Sequence, residues 1–143
     1  MMVSTKGRYA LRVLVDMAEH QSEGYVPLKE IAQRQDISEK YLESIVKTLV
    51  KGGVLTGLRG KGGGYRLGKS PDQCAVGTIL RMTEGSLSPV ACLEPGAAPC
   101  ARSSACRTYA MWKGLDKVIG EYLDGFTIAD LMRAEQPGDY YVI

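Results

Sequence analysis

Apolar residues recur at helical spacing over much of the chain. Tyr9, Val13 and Met17, with Ala10, Leu14 and Ala18 beside them, repeat every four residues and predict a first helix from a Ser4 or Thr5 cap to about Gln21. Gly24 and Pro27 punctuate a link to a short second helix over residues 28–34, with Leu28, Ile31 and Ala32 inward. After the polar break Gln35–Asp36, Ser38 is a good N-cap for a third helix, and Ile37 and Leu42 stand at hydrophobic-staple positions. That helix turns Leu42, Ile45, Val46 and Leu49 inward, carries Glu39, Lys40, Glu43, Ser44, Lys47 and Lys51 outward, and stops at Gly52–Gly53. Two helices joined by so short a turn, the second polar and basic outside, predict a helix-turn-helix.

Residues 54–67 change character. Val54-Leu55-Thr56-Gly57-Leu58 and Tyr65-Arg66-Leu67 flank a glycine-rich centre and predict a β-hairpin whose tip closely approaches a ligand backbone. The glycines match neither the mononucleotide nor the dinucleotide phosphate-loop pattern, and no helix follows them, so a basic wing fits better. A fourth helix over residues 76–84 ends at Gly85, and residues 86–101, broken by Pro89, Pro95, Gly96 and Pro99, predict a loop. From about Ser104 to Asp124 the pattern gives a long helix with a broad apolar stripe: Met111, Leu115, Val118 and Tyr122, plus Trp112, Ile119 and Leu123. Such a stripe on a small chain needs cover, from an equivalent helix of a second subunit or from the chain's own first helix. Thr127 and Asp130 mark the start of a short last helix.

The 143 residues, 45% hydrophobic and 24% charged, suffice for one small domain with an oligomerisation element. Charge is unevenly spread: residues 1–70 carry twelve Lys/Arg against seven Asp/Glu, whereas residues 71–143 carry six against nine. A basic first half and an acidic second half point to a polyanionic partner for the first. The apolar start is interrupted by Arg8, Arg12 and Asp16, unlike a secretory signal, and no apolar run approaches the roughly 20 residues of a membrane span. A cytoplasmic location and no membrane partner are expected.

Of the four cysteines, Cys92, Cys100 and Cys106 fall within fifteen residues, and Cys74 stands apart. In a cytoplasmic chain such clustering points to metal or redox chemistry more than to structural disulfides. The gaps are longer than the paired spacing zinc favours, so structural zinc is the weaker metal reading. A thiol–disulfide switch is feasible in so irregular a loop, and inert thiols rank below it. Cys74 is expected to be an ordinary packed or surface thiol. His20 is expected to close the first helix, and with no evident Cys–His pair the chain is not expected to be an enzyme.

Several segments together carry a resemblance. Ser4-Thr5-Lys6-Gly7-Arg8-Tyr9-Ala10, Leu28-Lys29-Glu30-Ile31-Ala32, Ile37-Ser38-Glu39-Lys40-Tyr41-Leu42-Glu43, Arg59-Gly60-Lys61-Gly62-Gly63-Gly64-Tyr65 and Val76-Gly77-Thr78-Ile79-Leu80 resemble the IscR, NsrR and CymR group of bacterial regulators, the Rrf-two family. The likeness extends through the cysteine loop and Trp112. It implies a mainly α fold: a winged helix-turn-helix DNA-binding domain with a β-hairpin wing and a long C-terminal dimerisation helix. The expected organisation is residues 1–85 for the DNA-binding domain, 86–103 for a cysteine-containing sensor loop, 104–136 for the dimerisation helix and short last helix, and 137–143 for a tail. The implied partners are a second copy of the chain and a pseudo-palindromic double-stranded DNA operator.

In this reading residues 38–50 enter the major groove, with Ser38, Lys40, Tyr41, Glu43, Ser44 and Lys47 as the contacting set. Glu43 suits cytosine N4, while Lys40 and Lys47 suit phosphates. Arg59, Lys61 and Tyr65 belong to the wing, and Thr5, Lys6 and Arg8 are candidate phosphate clamps. Residues 40–69 hold seven Lys/Arg and one acid, a concentration that favours the cluster over any single lysine.

Cluster-binding members of the family use three cysteines in this loop, which implies Cys92, Cys100 and Cys106 as ligands of an iron–sulfur cluster, [2Fe–2S] before other types, that purification can remove. One branch of the family supplies a histidine three residues after the last cysteine, where this chain has Tyr109. Another uses an acid near the start of the first helix, where this chain has Arg8. The fourth ligand is therefore unassigned.

The C-terminal Asp139-Tyr140-Tyr141-Val142-Ile143 resembles the tail of the cysteine-metabolism branch, which works with cysteine synthase and lacks the cysteine triplet. That likeness implies a second possibility, a repressor controlled by capture of Ile143 by cysteine synthase, with no cluster.

Overall fold

The computed structural model describes residues 3–21 and 24–134. The expected tail at residues 137–143, with Ile143 as its partner-binding residue, lies outside the described residues.

Ser4 starts the first helix as expected. Its hydroxyl accepts a hydrogen bond from the Gly7 N–H, and α1 runs Thr5–Glu19 with Ala10, Val13, Leu14, Met17 and Ala18 buried. His20 is its C-cap. Helix α2, Leu28–Gln35, ends on Asp36, which takes a left-handed conformation (φ 53°) that aspartate tolerates better than most residues. That turn aims α3, Glu39–Lys51, across α2. Ser38 caps it by accepting from the Tyr41 N–H, and Leu42, Ile45, Val46 and Leu49 face the core.

Strands β1, Leu55–Leu58, and β2, Gly64–Leu67, pair antiparallel with Leu55 opposite Leu67 and Leu58 opposite Gly64. Leu55 at the base of the hairpin is buried in the core, and farther out Val26 and Tyr65 exchange backbone hydrogen bonds of 2.8 and 2.9 Å. Gly64 makes this possible. It has φ +147°, and a Cβ there would collide with the Val26 carbonyl.

Helix α4, Val76–Glu84, ends at Gly85 (φ +81°), where the chain turns into the cysteine loop. Helix α5, Tyr109–Asp124, begins five residues later than its apolar pattern predicts. Tight turns, with Ser103 N–H bonded to the Cys100 carbonyl and Ala105 N–H to the Arg102 carbonyl, use up the backbone around Ser103 and Ser104, and Thr108 becomes the N-cap. The short α6, Ile128–Met132, starts at the expected Thr127–Asp130 capping box.

The main core joins α1, α2, α3, the wing base, α4 and α6, with Leu14, Ile31, Leu42, Ile45, Leu49, Ile79 and Ile128 fully buried. A smaller cluster of Val76, Leu80 and Leu87, packed by Leu11, Ile119, Leu123 and Phe126, attaches α4 to α5. No helix among the described residues is long and apolar enough to cross a membrane.

The apolar stripe of α5 thus divides. Ile119 and Leu123 pack on the chain's own body, whereas Met111, Leu115, Val118 and Tyr122 are exposed at 56, 40, 61 and 65%.

Candidate nucleic-acid interface and cysteine loop

Helix α3 presents Ser38, Lys40, Glu43, Ser44 and Lys47 as exposed side chains on one polar face. Its position is set from beneath by the apolar face in the core and from behind by a part-buried ion pair. Asp16 of α1 is 3% exposed and accepts hydrogen bonds from Arg34 Nε and Nη2 and from Gln35 Nε2, at 2.7 to 3.2 Å. Burial pushes the Asp16 carboxyl up, but the hydrogen bonds of Arg34 and Gln35 and the charge of Arg34 outweigh it and hold it below its ordinary value. Asp16 thereby locks α1 to the end of α2, immediately before the turn into α3.

Tyr41 is the exception on α3. It is half-buried, packed against the core and edge-on to Tyr9 with ring centroids 6.0 Å apart. Its backbone serves the helix start: its N–H donates to Ser38 and its carbonyl accepts from the Ser44 hydroxyl at 2.7 Å. Tyr65 is likewise half-buried against the core, at the anchor of the wing. Arg59 and Lys61 are exposed at the wing tip.

Between α3 and the wing lies a groove of about 450 Å³ lined by Lys47, Lys51, Arg59, Val50, Leu58 and Tyr65. Val50 and Leu58 are 38 and 48% exposed, so its floor is partly apolar and its rim cationic. Lys51, Val50 and Leu58 are absent from the contact set expected from sequence. Lys51 follows from the basic run, but only the packing of the hairpin against α3 brings Leu58 beside Val50.

At the start of α1, Thr5 and Arg8 are exposed and Lys6 is half-buried, with Arg8 Nη2 donating to the Thr5 hydroxyl at 3.2 Å.

The three loop cysteines are exposed free thiols, while Cys74 is buried, its thiol donating to the Ser70 carbonyl at 3.4 Å. Burial pushes the Cys74 thiol up. Cys92 sits in a single 3₁₀ turn, Ala91–Leu93, Cys100 opens the turns before α5, and Cys106 lies just ahead of the α5 cap. Hydrogen bonding from Thr108, first through its hydroxyl and then its backbone, holds the Cys106 thiol below its ordinary value. Among the described residues no three His, Cys, Asp or Glu side chains are gathered closely enough to hold a metal ion. The donor set nonetheless has the right chemistry: three soft sulfur donors on an irregular exposed segment suit iron–sulfur ligation. Tyr109 opens α5 and Arg8 lies on the exposed side of α1.

A sequence model described as "Rrf2: Iron-dependent Transcriptional regulator" matches residues 3–134. The HTH-type transcriptional regulator IscR of Aliivibrio salmonicida is 40% identical over 132 residues, which cover 92% of this chain and 77% of that protein. Among solved structures, CymR, the global cysteine regulator of B. subtilis, superposes with a TM-score of 0.76 at 38% identity, over 95% of this chain and 99% of that one. The IscR of T. potens gives 0.73 at 37% identity, over 99% and 97%. These relatives are regulators, in keeping with the expectation that the chain is not an enzyme. With a winged helix-turn-helix, a cationic groove and a family match over nearly its whole length, the chain belongs to the Rrf2 family of transcriptional regulators.

Proposed function

We propose that the chain is a homodimeric DNA-binding regulator of IscR type, whose operator affinity is set by an iron–sulfur cluster on the cysteine loop. The polar face of α3 beside the cationic groove carries the reading. Inserted in the major groove, Glu43 accepts a hydrogen bond from cytosine N4, a contact that specifies sequence, while Ser38 and Ser44 reach neighbouring base edges. Lys40, Lys47 and Lys51 hold phosphates and set register. Arg59 and Lys61 enter the adjacent minor groove, and Thr5, Lys6 and Arg8 clamp the backbone. Tyr41 and Tyr65 contribute by fixing α3 and the wing, their rings being largely committed to packing.

The exposed Met111, Leu115, Val118 and Tyr122 support pairing of α5 with its equivalent in a second subunit. A two-fold dimer places two α3 helices about one DNA turn apart, roughly 34 Å, and so demands a pseudo-palindromic operator. The division of labour follows the chain except at α6: residues 1–85 bind DNA, residues 86–103 sense, α5 pairs subunits, and α6 returns to pack into the core of the DNA-binding domain.

Cys92, Cys100 and Cys106 would hold the cluster, of [2Fe–2S] type, completed by one ligand from outside the triplet. When bound, it supplies a charge and a fixed loop conformation that change with cellular iron, sulfur or redox state. The chain's own part is to offer three thiolates, with Cys106 already biased toward that form. The cysteine triplet favours this control over capture of Ile143 by cysteine synthase.

The test is anaerobic purification followed by visible absorbance and iron and sulfide analysis, with operator binding measured by fluorescence anisotropy against scrambled DNA. Visible absorbance lost in Cys100→Ser, together with operator preference in the parent protein, is the expected result. Colourless, iron-free protein after cluster reconstitution rejects the cluster, and equal affinity for scrambled DNA rejects the regulator.

A further inference from the structure

We propose that the last turn of α4 is the joint that sets the α1 phosphate clamp, with Glu84 as its positioning residue; the inference rests on the DNA-binding reading above. Glu84 is the final residue of α4, and the next residue, Gly85, turns the chain into the cysteine loop. Its Oε1 accepts two hydrogen bonds from Ser4, from the backbone N–H at 3.0 Å and from the hydroxyl at 2.6 Å. The same Ser4 hydroxyl oxygen accepts from the Gly7 N–H at 3.2 Å and so caps α1. One carboxylate oxygen therefore orients the residue that starts the helix, and the first turn of that helix carries Thr5, Lys6 and Arg8. Gly7 is buried, and a Cβ at that position would collide with Glu84 Oε1. The small residue at 7 admits the carboxylate, and a negative group is favourable at a helix N-terminus.

At the start of the same turn, Arg81 reaches the other way. Its Nη1 and Nη2 donate to Asp124 Oδ1 and Oδ2 at the end of α5, at 2.8 and 3.0 Å. Gly77 makes room for this pair, since a Cβ there would collide with Asp124 Oδ1. The last turn of α4 thus grips α1 through Glu84 and α5 through Arg81. The cysteine loop leaves from this turn and returns to α5. A shift of the loop entry or of α5 arrives at Ser4, and through it at the clamp.

Simple electrostatics and positioning give opposite signs, which makes the inference testable. Glu84 is an anion near a phosphate-binding surface, so if it acts only by charge, its removal strengthens DNA binding. If it positions the clamp, Glu84→Ala weakens operator binding, roughly five- to tenfold as for loss of a helix cap. The slope of log affinity against log salt then falls by up to about 0.9 for each clamp cation lost, Lys6 and Arg8. Glu84→Gln keeps an oxygen that accepts both Ser4 bonds and retains the parent slope.

The experiment measures operator affinity of the full chain by anisotropy over a salt series, with folding checked by thermal unfolding and dimerisation by light scattering. Should Glu84→Ala fail to fold, Ser4→Ala takes its place: it removes the hydroxyl bond to Glu84 together with the cap on Gly7 and leaves the backbone bond. A weaker, flatter salt response in the alanine variant with rescue in Glu84→Gln is the expected result. Affinity equal to or above the parent, or a loss at unchanged slope, overturns the positioning role. No operator preference in the parent protein instead overturns the DNA-binding reading and takes the inference with it.

Discussion

Asp16→Asn should destabilise the protein in a way that depends on pH. The carboxylate is 3% exposed and accepts four contacts within hydrogen-bonding range, three from Arg34 and one from Gln35. Asparagine preserves shape but offers one acceptor oxygen, and its NH₂ group is turned against a guanidinium donor. Removing one partner of a buried ion pair costs about 3–5 kcal/mol, and hydrogen bonds to charged groups contribute about 1.5–3 kcal/mol each at most. The Arg34 side chain is 28% exposed, so water recovers part of its hydration, and a loss discounted to about 2–3 kcal/mol at pH 7 is expected.

The folded carboxyl titrates below its unfolded value, which is roughly 3.9. The stabilisation is therefore complete above about pH 4 and is lost as the pH falls through the lower, folded value. Urea denaturation of parent and variant at pH 7 and at a series of acid pH values, at one fixed protomer concentration, reads the difference. The gap should be widest at neutral pH and close below pH 4. A gap under about 0.5 kcal/mol at pH 7, or one that stays constant into acid, refutes the electrostatic account, since purely steric loss does not titrate.

Other variants address the interface and the dimer. Lys47→Ala should weaken binding to all DNA sequences alike and lower the salt slope by about 0.9 per protomer, whereas Glu43→Ala should relax sequence preference with the slope little changed. Competition binding with single-base operator variants separates the two. Val118→Asp puts a charge in the exposed stripe of α5 and should give monomers by light scattering with operator affinity reduced by tenfold or more, about 1.4 kcal/mol, while the main core, from which Val118 is absent, leaves the monomer's far-ultraviolet dichroism unchanged. Gly64→Ala should detach the wing from Val26. It combines a positive φ with a backbone collision, and a loss of about 1–3 kcal/mol in denaturant stability, with weaker operator binding, is expected.

The sequence reached most of the local architecture, since caps and periodicity act over a few residues. Ser4, Ser38 and the Thr127–Asp130 pair start their helices in the structure, and Gly85 ends α4. The start of α5 is displaced from Ser104 because the residues around it are absorbed by successive tight turns. The polar face of α3 is legible from alternation with its buried positions. Tyr41 and Tyr65 are expected at the DNA, but the polar context of an aromatic residue does not reveal that its ring packs against Tyr9 or the wing base.

By itself, then, the sequence determined which segments are helix, wing or loop, which half of the chain is basic, and that three cysteines share one loop. Tertiary structure alone decided the pairing of elements distant along the chain: Asp16 with Arg34, Ser4 with Glu84, Arg81 with Asp124, and Leu58 beside Val50. It also decided which part of the α5 stripe stays outside. The reason is that periodicity and capping are set by near neighbours, whereas an ion pair or groove between separate elements exists only once the core has fixed their relative positions.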